Sequence, residues 1–173
     1  MPAAWPWFER KFDFSFPPEK YPDILERLRG TPLRLQERVR GLSPEVCVQR
    51  EGDSWSIQEN VGHVADLEPL WIGRIDDILA GTETMRAADL TNATTRQAGH
   101  NNRSMADVLA FVRGVRRTLM DRLDSLTVEQ MGSGALHPRL QVPMRLVDLC
   151  HFVAEHDDYH LARITELGRT FGE

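Results

Sequence analysis

Four stretches of this chain carry apolar residues at intervals of three and four, and that periodicity confines the fold to amphipathic helices packed on one another. In the first stretch, Ile24, Leu25 and Leu28 are continued by Leu35, Val39 and Leu42. Gly30-Thr31-Pro32 predicts a break between them, with Thr31 as N-cap and Pro32 as the first residue of a resumed helix. The second opens on Ser56-Ile57-Gln58-Glu59, a capping box, and carries Val61, Val64, Leu67, Trp71, Ile75 and Leu79 to a stop at Gly81, with a kink expected at Pro69. Ser104 caps the third, whose stripe is Met105, Val108, Val112, Val115, Leu119, Leu123 and Leu126. The fourth runs from near Pro143 to Leu167, ahead of Gly168, with Leu146, Leu149, Cys150, Val153, His156, His160, Ile164 and Leu167 turned inward.

No segment alternates convincingly as a strand and none repeats, so the reading is all-α, a four-helix bundle. The stretch from Thr82 to Asn102 has no sustained period and is far longer than an up-and-down bundle needs. It predicts a crossover that sets the second and third helices parallel. Thr127 to Gln130 forms a further capping box, enough for a short turn before a loop through His137-Pro138.

At 173 residues the chain has room for one core. Residues 1–20, with Phe12, Phe14 and Phe16 ahead of Pro17-Pro18, are expected to be an extended aromatic arm covering a single bundle domain over residues 21–173. Nothing is apolar for long enough to span a bilayer, the first residues lack the layout of a secretory signal, and Cys47 and Cys150 are too few for a disulfide framework. These features predict a cytoplasmic protein. Nineteen arginines and two lysines are scattered among 26 acids, for a net charge of −5, which argues against a nucleic-acid partner. Arg113, Arg116 and Arg117 are expected on a solvated helix flank.

Two histidines interrupt the fourth stripe. His156 and His160 stand one helical turn apart, so both imidazoles can reach one ion from the same face, although core-edge histidines bonded to local carboxylates would show the same spacing. His63 lies near the inward face of the second helix. If those helices are neighbours, three nitrogens surround one position and leave a fourth site open. Three neutral imidazoles leave the charge of a divalent ion uncompensated, so it can acidify a bound water or thiol. Zinc is the first expectation and nickel the second.

Trp55-Ser56-Ile57 opening the helix of His63, followed late in the chain by His156-x-x-x-His160-x-x-x-Ile164, resembles the DinB-like (DinB/YfiT) family of metal-dependent proteins. The resemblance extends from the first helix to Leu167. It implies that His63, His156 and His160 form one metal triad in a four-helix bundle with the crossover placed as above. It also implies a small-molecule substrate, transferase or isomerase chemistry with a low-molecular-weight thiol such as bacillithiol or mycothiol, and a homodimer. A metal-dependent hydrolase is the alternative, as is a non-catalytic bundle in which the ion pins helices together or is sequestered or sensed. An interaction module without metal is the third reading. The aromatic arm has no counterpart in the family pattern and leaves an altered pocket mouth or dimer surface open.

Other candidates are weaker. The metalloprotease helix requires glutamate after its first histidine, whereas Asp157 stands here, one methylene shorter. Asp157 and Asp158 are expected on a solvated face, or one of Glu59, Asp66, Glu155 and Asp157 orients a ligand imidazole. His100 in the crossover is expected to be solvated, His137 and His151 carry less signal still, and Cys150 is expected to be a buried apolar thiol. Trp71 and Tyr159 are candidates for core or pocket wall.

Overall fold

Side chains at three of the expected caps set where the helices begin. In the computed structural model, which describes residues 3–172, α1 spans Tyr21–Val39, α2 Pro44–Val48, α3 Ile57–Asp66, α4 Glu68–Leu79, α5 Ala93–Gln97, α6 Met105–Asp124, α7 Val128–Gly132 and α8 Leu146–Phe171. Ser56 Oγ accepts from the Glu59 amide while the Glu59 carboxylate accepts from the Ser56 amide, closing the box at α3. Ser104 and Thr127 cap α6 and α7. The second stripe is divided into α3 and α4 at Leu67, and Pro69 lies in the first turn of α4, so the expected kink is a break.

Two apolar clusters fix the direction of each long helix. One joins Ile24 and Leu28 near the start of α1, Ile75 and Ile78 near the end of α4, Leu119 and Leu123 near the end of α6, and Leu146 and Leu149 at the start of α8. The other joins Leu35 and Val39 at the end of α1, Ile57 and Val61 in α3, Val108 and Val112 early in α6, and Ile164 and Leu167 late in α8. The second and third long helices therefore run parallel, and the crossover carries the chain back along the bundle. It is not a bare loop: it contains α5 and a 3₁₀ turn at His100–Asn102, and it buries Met85, Thr95 and His100.

Several expectations are corrected. Helix α1 runs unbroken through Gly30-Thr31-Pro32. Pro32 has no N–H for the Leu28 carbonyl four residues back, but Arg116 Nη1 donates to that oxygen at 2.9 Å. Arg116 is accordingly not on a solvated flank. It is 2% exposed and also donates to Glu68 at 2.6 Å and Asp157 at 2.7 Å, while Arg113 and Arg117 are exposed. Asp157 is buried rather than solvated and accepts from Thr31 Oγ1 as well. This cluster ties α1, α4, α6 and α8 together at mid-bundle. One guanidinium facing two carboxylates leaves a net negative charge, and burial pushes the Glu68 carboxyl up to about 7 despite Arg116.

A short antiparallel hairpin, β1 Gly134–Leu136 and β2 Pro143–Arg145, stands where no strand was expected and delays the start of α8 to Leu146. Helix α8 then continues through Gly168 instead of stopping there. The amino-terminal segment lies along α8, with 3₁₀ turns at Trp7–Glu9 and Pro18–Lys20. Arg145 Nη2 donates to the carbonyls of Phe14 and Phe16, each at 2.9 Å, while Trp7, Phe12, Phe14 and Phe16 pack on the first cluster. Cys150 is buried and free, and burial pushes its thiol up to about 12, as suits an apolar core residue. Among the described residues no helix is long and apolar enough to cross a membrane.

Candidate metal centre

Contacts between α3 and α8 bring His63, His156 and His160 together, each buried, with one ligand nitrogen from each within 4.8 Å of the others. Nε2 of His156 and Nε2 of His160 are 3.2 Å apart. Nitrogens bound at about 2.0–2.1 Å to a tetrahedral ion are about 3.3 Å from one another, so this spacing fits a divalent metal.

Hydrogen bonds behind the rings select the tautomers. Asn60 Nδ2 donates to the carbonyls of Trp55 and Ser56, which leaves Asn60 Oδ1 to accept from His160 Nδ1 at 2.8 Å. The Nε2 lone pair of His160 therefore faces the cavity. Thr95 Oγ1 donates to Asp66 Oδ2 at 2.8 Å and so accepts from His63 Nδ1 at 2.8 Å, freeing Nε2 of His63 likewise. Asp66 accepts in turn from His100 Nε2 at 2.8 Å. This is the carboxylate-backed support that holds metal-binding imidazoles in place. Nδ1 of His156 has no partner among the described residues.

The rings are held neutral, as metal ligands must be. Burial first, then the neighbouring His156, pushes His63 down to about 3; burial and the arginines Arg116 and Arg10 push His156 down to about 3. His160 lies well below the ordinary range through burial and the two other histidines. Aromatic rings pack around the cluster: the Trp55 centroid is 4.4 Å from His63, and those of Trp7 and Trp71 are 5.0 Å and 5.7 Å from His156. The three histidines line a cavity of about 820 Å³ with Trp7, Trp71 and Tyr159 in its wall.

Of the residues weighed from the sequence, Asp66 takes the orienting role, through Thr95. Glu59 serves the α3 cap and Arg50, Glu155 pairs with Arg10 and Arg27, and Asp157 faces Arg116. His100 is 1% exposed rather than solvated. Its ring fills the space beside Gly62, where a Cβ would stand 2.4 Å from the imidazole. Asn60 and Thr95 were not legible as site residues, because small polar side chains acquire that role only through partners far away in sequence. Trp7 belongs to the aromatic arm, for which the sequence leaves cover, an altered pocket mouth and a dimer surface open, and its ring lies in the cavity wall beside His156.

Comparison with known proteins gives the family and the fold. The sequence model of the DinB superfamily matches residues 27–164, and the chain belongs to that superfamily. The fold is similar to that of YfiT from Bacillus subtilis, described as a probable metal-dependent hydrolase with an unusual four-helix bundle topology, at a TM-score of 0.80 and 23% identity over 95% of this chain and 94% of that one. A Streptococcus pneumoniae protein superposes with a TM-score of 0.66 at 10% identity, over 92% of this chain and 93% of that one. No curated protein gives a significant sequence match.

Proposed function

We propose that this member of the DinB superfamily holds one divalent metal ion through His63, His156 and His160, zinc first and nickel second, and is a thiol-dependent S-transferase. The co-substrate is a low-molecular-weight thiol of the bacillithiol or mycothiol type, and the acceptor is an electrophilic small molecule. The observation that carries the reading is a cavity lined by three neutral imidazoles beside which Asp66, Glu59 and Asp157 are each engaged elsewhere. Asp66 is held by Thr95 and His100, Glu59 by Arg50 and the Ser56 amide, and Asp157 by Arg116 and Thr31. Hydrolysis at such an ion runs through a bound water, whose proton is released near pH ~7 or taken by a neighbouring base. A free thiol, near pKa ~8.5, starts far closer to its anion than free water at ~15.7, so at the ion the thiolate is reached with less help from a neighbouring base.

When bound, the ion supplies a Lewis acid that favours the thiolate over the thiol. The protein's own part is positioning and exclusion of water. Asn60 and Thr95 fix the imidazole planes, while Trp7, Trp55 and Trp71 cover the rings. In the transfer, sulfur forms a bond to the electrophilic carbon, the leaving group departs with the bonding pair, and the thiol proton goes to solvent. From the arm of residues 1–20, Ala4, Trp7 and Phe8 wall this cavity, and residues 21–173 make up the single domain.

Metal-dependent hydrolysis is the second reading, favoured by the description of YfiT. The test uses protein purified without a tag, stripped of metal, and reloaded with zinc or nickel. Turnover of a chromogenic aryl halide is expected to require both the ion and the thiol and to disappear in a folded His63→Ala variant. Ester hydrolysis without thioether formation would replace the transferase reading by the hydrolase. Stoichiometric loading with neither activity would favour a structural or sequestering role.

A further inference from the structure

The cavity contains a second polar cluster that the imidazole triad does not use. Arg74 is 2% exposed, and Arg139 has a buried Nη2 without a partner; neither forms an ion pair among the described residues. Arg74 Nε donates to the Arg86 carbonyl at 3.1 Å, and its Nη1 lies 3.1 Å from Nε2 of His137. The tautomer of His137 is fixed from its other side, because Nδ1 accepts from the amides of Arg139 at 3.2 Å and Leu140 at 3.1 Å. The ring proton is therefore on Nε2, so an imidazole N–H and a guanidinium N–H point at each other. Two donors in that position lack a common acceptor.

The electrostatics show the same deficit. Burial, then the nearby charge of Arg139, pushes Arg74 down to about 10; burial, then Arg74 and Arg139, pushes His137 down to about 4. Three nearby carboxylates are engaged elsewhere, Asp77 with Arg86, Asp89 with Thr91 and the Ala93 amide, and Glu51 with Arg163, and Asp53 in the cavity wall pairs with neither arginine among the described residues. A buried cation left in this condition is costly unless something negative joins it. Guanidinium forks are suited to bidentate contact with a carboxylate or phosphate.

We propose that Arg74, Arg139 and the Nε2–H of His137 form a recognition site for an oxyanion group, carboxylate or phosphate, on the small molecule that occupies this cavity. Trp71 links this site to the triad. Arg74 Cζ lies 5.4 Å from the Trp71 ring centroid, which is 5.7 Å from that of His156. One ligand can therefore place its anionic end on the arginines and its other end near the imidazoles. That the second end is the reacting one rests on the function proposed above; the anion site itself does not.

The test is a titration of the metal-free, full-length chain with succinate and, separately, with inorganic phosphate, followed by tryptophan fluorescence and calorimetry. Saturable binding of at least one probe is expected in the millimolar range or tighter, and the probe that binds tells carboxylate from phosphate. Arg139→Gln is expected to weaken it at least ~10-fold while unfolding at a temperature no lower than the parent, since it relieves an unpaired charge. His63→Ala is expected to bind the probe as the parent does, so failure of the metal reading leaves this result intact. Absence of saturable binding of either probe, parental affinity in Arg139→Gln, or loss of binding in His63→Ala would overturn the proposal.

Discussion

Replacing Arg116 by methionine keeps most of the length and bulk of the side chain while removing all five of its donors. Glu68, Asp157 and the Leu28 carbonyl already deprived by Pro32 lose this partner together, and Asp157 keeps only Thr31 Oγ1. Breaking a buried ion pair from one side costs about 3–5 kcal/mol. A loss of about 4 kcal/mol is expected at pH 8, a large part of a typical ~5–15 kcal/mol total. In a chain of this size that lowers Tm by about 8–16 °C. The loss has a pH signature. Glu68 is raised to about 7 from its ordinary 4.5, so the stability it contributes is complete below about 4.5 and is lost as pH rises through about 7. Removing Arg116 takes away the attraction that opposes burial and carries Glu68 further up. The gap between parent and variant therefore narrows on acidification. Urea unfolding followed by tryptophan fluorescence at pH 5 and pH 8 measures it, and adding Glu68→Gln to the variant should recover at least about 1 kcal/mol at pH 8. A loss below about 1 kcal/mol at pH 8, or a gap that does not shrink at pH 5, would refute the reasoning.

Two further perturbations address the site. In Gly62→Ala the added methyl meets the His100 ring at 2.4 Å, and overpacking of this kind is expected to cost about 2 kcal/mol, read as a lowered Tm; an unchanged Tm would show that the ring moves freely. His63 and His156 are lowered to about 3 from 6.5, so the unfolded chain takes up protons between about 6.5 and 3 that the native rings refuse. The stability of metal-free protein, measured by urea unfolding, is expected to fall by at least about 2 kcal/mol from pH 7 to pH 5 in spite of the opposite trend of Glu68; a flat or rising profile would contradict neutral buried imidazoles.

The bundle was legible because apolar periodicity survives without knowledge of partners. Every inward position read for the fourth helix, from Leu146 to Leu167, is buried. The helix boundaries were less so. A proline inside α1 is tolerated only because an arginine 84 residues later serves the freed carbonyl at Leu28, and three-residue strands are too short to show alternation. Arg116 illustrates a signal that was present but masked. Val112, Arg116, Leu119 and Leu123 keep helical spacing, all are buried, and the charged neighbours Arg113 and Arg117 hid the one that turns inward. Arg74 does the same among Trp71, Ile75 and Ile78. In the candidate metal centre the three histidines could be found by spacing. Their supports could not, since Asn60 serves a ring 100 residues away and Thr95 one 32 residues away.

The central claim is that three imidazoles from α3 and α8 hold one metal ion, and equilibrium dialysis with elemental analysis tests it most directly. Untagged parent protein dialysed against zinc is expected to retain about one equivalent per chain, and folded His63→Ala under about a tenth of that at the same free zinc. Parent protein that retains none, or a His63→Ala variant that retains as much as the parent, would contradict the account.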